Sequence, residues 1–143
     1  QVSDRILGII PLASHNQRGR GTLLIGTRQR VRAEDLVKIV EASMSSEIYE
    51  LLKRPDELHV VEKAHRNPRF VEDVVREMLR RLVELHPELP AESFVLARQE
   101  NFEGIHEHNA FAERFGTLSE MTPELSGEAH AGRHTTLDEW LAG

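Results

Sequence analysis

Ser93-Phe94-Val95-Leu96-Ala97-Arg98-Gln99-Glu100-Asn101-Phe102-Glu103-Gly104-Ile105-His106-Glu107-His108-Asn109-Ala110-Phe111-Ala112-Glu113-Arg114 is the stretch on which the fold turns. Ser93–Gln99 reads as a strand. About Gly104 to Arg114 reads as another, although Ala110-Phe111-Ala112-Glu113 also suits a helical turn. His106 and His108 are two residues apart. On a strand such side chains share a face, about 6.5 Å apart. The extended reading turns both imidazoles, with Glu103 just upstream, toward one site and sends Ile105 to the core. Imidazole and carboxylate bind Zn, Mn or Fe(II) and move protons near neutral pH. Taken alone, a His-x-His pair more often marks a solvated polar loop.

Working upstream, Arg5–Ile10 is a short apolar run, expected to be a strand that Pro11 ends. Ser14 to Gly21 is polar and glycine-rich, which suggests a turn. Thr22–Thr27 suits a second strand. The apolar period then changes to a helical one at Leu36, Ile39, Val40, Met44, Ile48, Leu51 and Leu52. This predicts a helix from about Ala33 to Leu52, closed by Pro55. Asn67-Pro68 predicts a second helix start, with Asn67 as its N-cap. Val71, Val74, Val75, Met78, Leu79 and Leu82 form its apolar stripe, and His86-Pro87 ends it.

The expected order is β-β-α-α-β-β: an α+β layer with an antiparallel four-stranded sheet and two helices on one face. Residues 1–115 form this unit, and 116–143 read as a polar tail ending in an amphipathic piece, Leu137–Leu141. So small a sheet exposes edge strands that invite pairing with another chain.

The 143 residues suffice for one domain with a real core, and 39% hydrophobic with 29% charged is ordinary for a soluble protein. A net charge of −6 argues against nonspecific nucleic-acid binding. No apolar run approaches a membrane span and no signal peptide opens the chain, so a cytoplasmic protein is expected. There is no cysteine, so any metal must be held within this chain by His, Asp, Glu or water. The chain opens on Gln rather than Met, as a piece of something longer would.

Several local groups invite a functional reading beside a plainer one. His15 precedes Asn16-Gln17-Arg18-Gly19-Arg20-Gly21, where glycines and arginines could cradle a phosphate or simply form a basic turn. Glu57, in the link after Arg54-Pro55-Asp56, could ligate a metal or sit in a solvated loop. Glu72 stands at a helix start, where an acid commonly complements the dipole. Alternatively, its two oxygens could accept N–H bonds from an amino-pyrimidinone edge. His130 and His134 have a helical metal spacing, but Gly132 and their surroundings look tail-like.

Four motifs, in order, resemble one family: Ser14-His15-Asn16-Gln17-Arg18, Glu47 through Glu57, Asn67 through Asp73, and Glu100 through His108. Together they look like the C-terminal half of type IB GTP cyclohydrolase, which includes the archaeal enzymes of methanopterin synthesis. The resemblance covers about residues 5–115. It implies the tunnelling fold (T-fold), assembled into barrels with active sites between subunits, and hence a homotetramer. It implies that His15 and Glu57 ligate a divalent metal (Zn, Mn or Fe(II)) and that Glu72 anchors the guanine edge. Gln17 and Arg18 would bind substrate, while Glu103, His106 and His108 would line the catalytic pocket. The implied reaction opens the guanine imidazole ring of GTP, releases formate and yields a 7,8-dihydroneopterin phosphate for folate, tetrahydropterin or methanopterin synthesis. The family also uses a cysteine ligand just before the His-Asn-Gln-Arg motif. This chain has none, and it is expected upstream of Gln1. The rival reading is a non-catalytic pterin- or purine-binding half-domain, or an assembly subunit, completed by another chain. A nitrile reductase of the same fold is a third, but it needs a cysteine nucleophile and a nicotinamide site, and no Gly-x-Gly-x-x-Gly occurs here.

Overall fold

The computed structural model describes residues 17–49, 51–128 and 132–143. Three strands form one antiparallel sheet in the order β1-β2-β3: β1 (Arg18–Gly26), β2 (Phe94–Phe102) and β3 (Ala110–Thr117). Helices α1 (Ala33–Ser43), α2 (Arg54–Arg66) and α3 (Val71–Leu85) lie between β1 and β2, and α4 (Leu118–Leu125) and α5 (Leu137–Ala142) follow β3. The fourth strand expected from the sequence, Arg5–Ile10, lies outside the described residues. The register pairs Arg18 with Phe102, Ile25 with Val95, Val95 with Gly116 and Asn101 with Ala110.

The core lies between one face of the sheet and α3. Val74, Val75, Met78, Leu79 and Leu82 fall on one stripe of α3 and pack with Val95 and Ala97 of β2. Ile39 of α1 and Leu118 and Met121 of α4 complete the cluster. The C-terminal part of α3 sets the polarity, because Val83 and His86 border the same cavity as Leu118 and Ser119. That end of α3 therefore lies where β2 begins and β3 ends. Its N-terminus lies about 22 Å away, at 1.5 Å rise per residue, toward the end where β2 stops and β3 starts.

Several expectations need correction. The helix starting at Ala33 stops at Ser43, not Leu52. The buried Ser43 hydroxyl donates back to the Ile39 carbonyl at 2.7 Å, and Met44 turns extended at φ −78° and ψ 165°. Pro55 does not close a helix but sits in the first turn of α2, where its missing N–H costs nothing. Asn67 is consequently the C-cap of α2, not an N-cap; its amide Nδ2 donates to the Ser45 carbonyl at 3.2 Å. Gly19 and Gly21 belong to β1 rather than to a turn. They make room on the helix side, since a Cβ at Gly21 would approach Val40 Cγ1 and Met44 Cε to 2.6 Å.

Residues beyond 115 do more than trail. The backbone N–H of Leu118 donates to the Ser93 carbonyl at 3.0 Å, which seats α4 on the start of β2. Trp140 lies 6.0 Å from the Phe94 ring and donates its indole N–H to the Glu92 carbonyl at 2.7 Å. A Cβ on Gly26 would meet that indole at 2.7 Å. Glu120 accepts from the Thr117 amide, the Thr135 amide and the Thr135 hydroxyl, fastening residues 133–136 to the β3–α4 corner. Burial works against its ionisation. The bonds from Thr135 and Thr117 nonetheless hold its carboxyl below the usual range.

Ile105 is the clearest reversal. Residues 103–109 are a loop, not strand, and Ile105 is 69% exposed. Met78→Ala should cost about 2–5 kcal/mol of stability, as for a fully buried side chain, whereas Ile105→Ala should stay within about 0.5 kcal/mol. Urea unfolding of the two variants beside the parent chain checks both.

Candidate functional site

The site is built at the end of the sheet where β2 runs out. Arg18 is paired with Phe102, so Gln17 and Arg18 stand beside the residue that precedes Glu103. The loop 103–109 leaves this point carrying Glu103, His106 and His108, and the N-terminal turn of α3 brings Glu72 to the same end. The sequence placed these residues in three separate motifs. The antiparallel register sets Gln17 and Arg18 beside the root of that loop, and the direction of α3 turns its N-terminus toward the same end of the sheet.

His106 and His108 do face each other, but on a loop. Their rings stack with centroids 5.9 Å apart and 29° between planes, and both are exposed. The extended segment expected here is therefore not observed, and the two rings stand together through the turn of the loop rather than by strand alternation. The backbone N–H of Glu103 donates to Asn109 Oδ1 at 3.2 Å, across the mouth of the loop.

Behind the loop the helix-facing side of the sheet is polar. Gln99 is 2% exposed and donates from Nε2 to Asn101 Oδ1 at 2.7 Å. Gly19 lacks a side chain where a Cβ would come within 2.5 Å of Gln99 Nε2. Gln17 Oε1 and Gln99 Oε1 are buried and find no hydrogen-bond partner among the described residues. The opposite face carries cations on aromatic rings: Arg20 lies 5.3 Å from the Phe102 centroid and Arg98 4.8 Å from that of Phe111. Sequence reasoning passed over Gln99 and Asn109. A polar residue on the inward face of a strand was the signal for Gln99, and an Asn just before a strand restarts was the signal for Asn109.

Two glutamates are left out of helix capping. At α2 the Lys53 amide donates to Asp56 Oδ2 at 3.0 Å, which leaves neighbouring Glu57 exposed. At α3 the Phe70 amide donates to Asp73 Oδ2 at 3.1 Å, which leaves Glu72 exposed. Asp56 and Asp73 satisfy the helix ends, so the carboxylates of Glu57 and Glu72 are available for another task. Large apolar side chains crowd the same segments: Ile48 is 85% exposed, Leu51 86% and Phe70 78%.

Imidazole and carboxylate donors suit Zn, Mn or Fe(II). Among the described residues, however, no three His, Cys, Asp or Glu side chains come together to hold a metal. His15, expected as Glu57's partner ligand, lies outside the described residues, as does His130. His134 is exposed and lies 6.2 Å from the Phe115 ring. No described helix is long and apolar enough to cross a membrane.

A family model described as type I GTP cyclohydrolase folE2 matches residues 2–112. The chain belongs to that family. It is 51% identical over 131 residues to GTP cyclohydrolase MptA of Methanothermobacter thermautotrophicus, covering 90% of this chain and 41% of that protein. To the MptA of Methanospirillum hungatei it is 53% identical over 121 residues, covering 83% of this chain and 37% of the relative. To that of Methanococcus maripaludis it is 50% identical over 124 residues, covering 85% and 39%. The chain thus spans about two fifths of the length of the curated relatives it matches. All of the candidate residues from His15 to His108 fall inside the family match.

Helix α2 buries none of its described side chains and is tied down by charge. Lys63 Nζ lies 2.5 and 2.6 Å from the two Glu47 oxygens, and the Tyr49 hydroxyl donates to Glu47 at 2.6 Å. The Lys63 bond, then the Tyr49 bond, pull the Glu47 carboxyl from 4.5 down to about 2. A carboxyl lowered on folding stabilises above its ordinary value and loses that contribution as pH falls through the folded one. The α2 tether should hold at pH 5 and release as the pH approaches about 2. Backbone NMR shifts of residues 54–66 should move across that window. In Glu47→Gln they should lie at their acid positions already at neutral pH.

Proposed function

We propose that this chain is part of a GTP cyclohydrolase that opens the guanine imidazole ring, releases formate and forms a 7,8-dihydroneopterin phosphate. The product would feed folate, tetrahydropterin or methanopterin synthesis. One observation supports the reading: in a member of the folE2 family, the β1–β2 register sets Gln17 and Arg18 beside the root of the loop that carries Glu103, His106 and His108. In this reading Glu72 accepts two N–H bonds from the amino-pyrimidinone edge of guanine, a charge-assisted bidentate pair. The Arg18 guanidinium and the Gln17 amide meet the polar remainder of the nucleotide. His106 and His108 exchange protons with the ring nitrogen and the attacking water, each imidazole serving as base and then acid. Glu103, at the loop root, orients them.

The reading includes a divalent metal (Zn, Mn or Fe(II)), with His15 and Glu57 as two of its donors. When bound, such an ion supplies a water of lowered pKa. It also includes a T-fold unit, forming the C-terminal half of a two-unit chain, and a cytoplasmic homotetramer whose active sites lie between subunits. The exposed Ile48, Leu51 and Phe70, close in sequence to Glu57 and Glu72, support an apolar partner surface there.

In the intact protein, His106→Ala and His108→Ala should each lower GTP turnover by roughly 10²–10⁴-fold without changing the melting temperature. Near-normal turnover in both would remove proton transfer from this loop. Glu72→Gln replaces one acceptor by a donor and should weaken GTP binding by about 2–5 kcal/mol, read by calorimetry. Unchanged affinity would return Glu72 to the role of a dipole partner. His15→Ala should abolish metal content, measured by elemental analysis; full occupancy in that variant would reject the ligand assignment.

A further inference from the structure

We propose that Asn109 is the positioning residue of the proposed reaction, fixing the 103–109 loop through its bond to the Glu103 backbone. This rests on the reading of His106 and His108 as proton-transfer groups. Residues 104–109 are all exposed, so burial contributes little to holding the loop. The backbone ladder ends at the pair Asn101 and Ala110. Beyond it, Phe102 closes β2 and Glu103 begins the loop, one residue past the last strand position. The Asn109 side-chain carbonyl, one residue before β3, accepts the Glu103 N–H at 3.2 Å. A side chain thus supplies the rung that the main chain lacks.

The consequence is geometric. With both roots joined, the five residues between them form a closed turn, and the two imidazoles meet at 5.9 Å. With the rung removed, the loop loses this tie at its mouth and the imidazoles depart from that separation. Gly104 adds to that freedom, since a Cβ there would find nothing within 4 Å. A proton-transfer group displaced by about 1 Å can lose on the order of a hundredfold in rate, while substrate held elsewhere binds as before. Asn109 itself touches no reacting atom.

The test uses Asn109→Ala and Asn109→Asp. Alanine removes the acceptor; aspartate keeps an oxygen for the Glu103 N–H. In the intact protein, N109A should lower kcat by about ten- to a hundredfold with KM and melting temperature unchanged. N109D should recover most of kcat. In the 143-residue chain, hydrogen exchange at the Glu103 amide should speed up in N109A and return toward the parent rate in N109D. An active parent enzyme whose N109A variant keeps its kcat would overturn the positioning role and leave the proposed function standing. So would an N109D that holds the Glu103 amide yet fails to recover turnover. If N109A melts earlier, the comparison of N109D with the parent decides the matter in the same way. A parent enzyme with no activity on GTP would overturn the proposed function itself, and this role with it.

Discussion

The apolar stripe of α3 against the sheet is the constraint from which the rest follows. Val74, Val75, Met78, Leu79 and Leu82 bury one side of a fifteen-residue helix on Val95 and Ala97. Each buried aliphatic side chain is worth on the order of 1.5–3 kcal/mol, so the helix has little freedom to rotate or slide. Its direction then follows from the link to β2, and with it the end of the sheet to which Glu72 comes. A helix packed the other way round would bury the same area and carry Glu72 away from the loop.

That arrangement separates structural from available carboxylates. Asp56 and Asp73 close the starts of α2 and α3, and Glu77 is drawn down by Arg80, with Arg81 beside it. Glu47 is committed to Lys63 and Tyr49, and Glu120 to the C-terminal segment. Glu57 and Glu72, left over from capping, are among the carboxylates that family resemblance singles out. The helix ends therefore distinguish carboxylates that a count of acidic residues would treat alike.

The two ends of the sheet are finished in different ways. At the Phe94 end, Trp140 fills the space over Gly26, and Glu120 clamps the chain that leads to it. Aromatic packing and a desolvated, hydrogen-bonded carboxylate make that end closed. At the Phe102 end, the strands finish in exposed histidines, a single side-chain rung and arginines lying on aromatic rings. Rigid packing at one end leaves the other free to present polar groups, consistent with binding sites lying on loops that a scaffold positions.

The sequence by itself determined the strongly patterned elements. The helical period of Val71–Leu82 falls within an observed helix, and the expected strands Thr22–Thr27 and Ser93–Gln99 match observed strands to within one residue at an end, because burial of one face is a local signal. Helix α2 was hidden, because its mostly exposed surface leaves no apolar stripe and Pro55 reads as a stop unless one knows that a helix begins there. Helix α4 was hidden by its Pro123 and its polar neighbours, although Leu118 and Met121 carry the core. Only the tertiary structure decided that residues 103–109 bend out of the sheet, since strand alternation and loop polarity write the same sequence there. And only it set Gln17 and Arg18 beside the root of the histidine loop, because that depends on strand register, which long-range packing fixes and no short stretch of residues encodes.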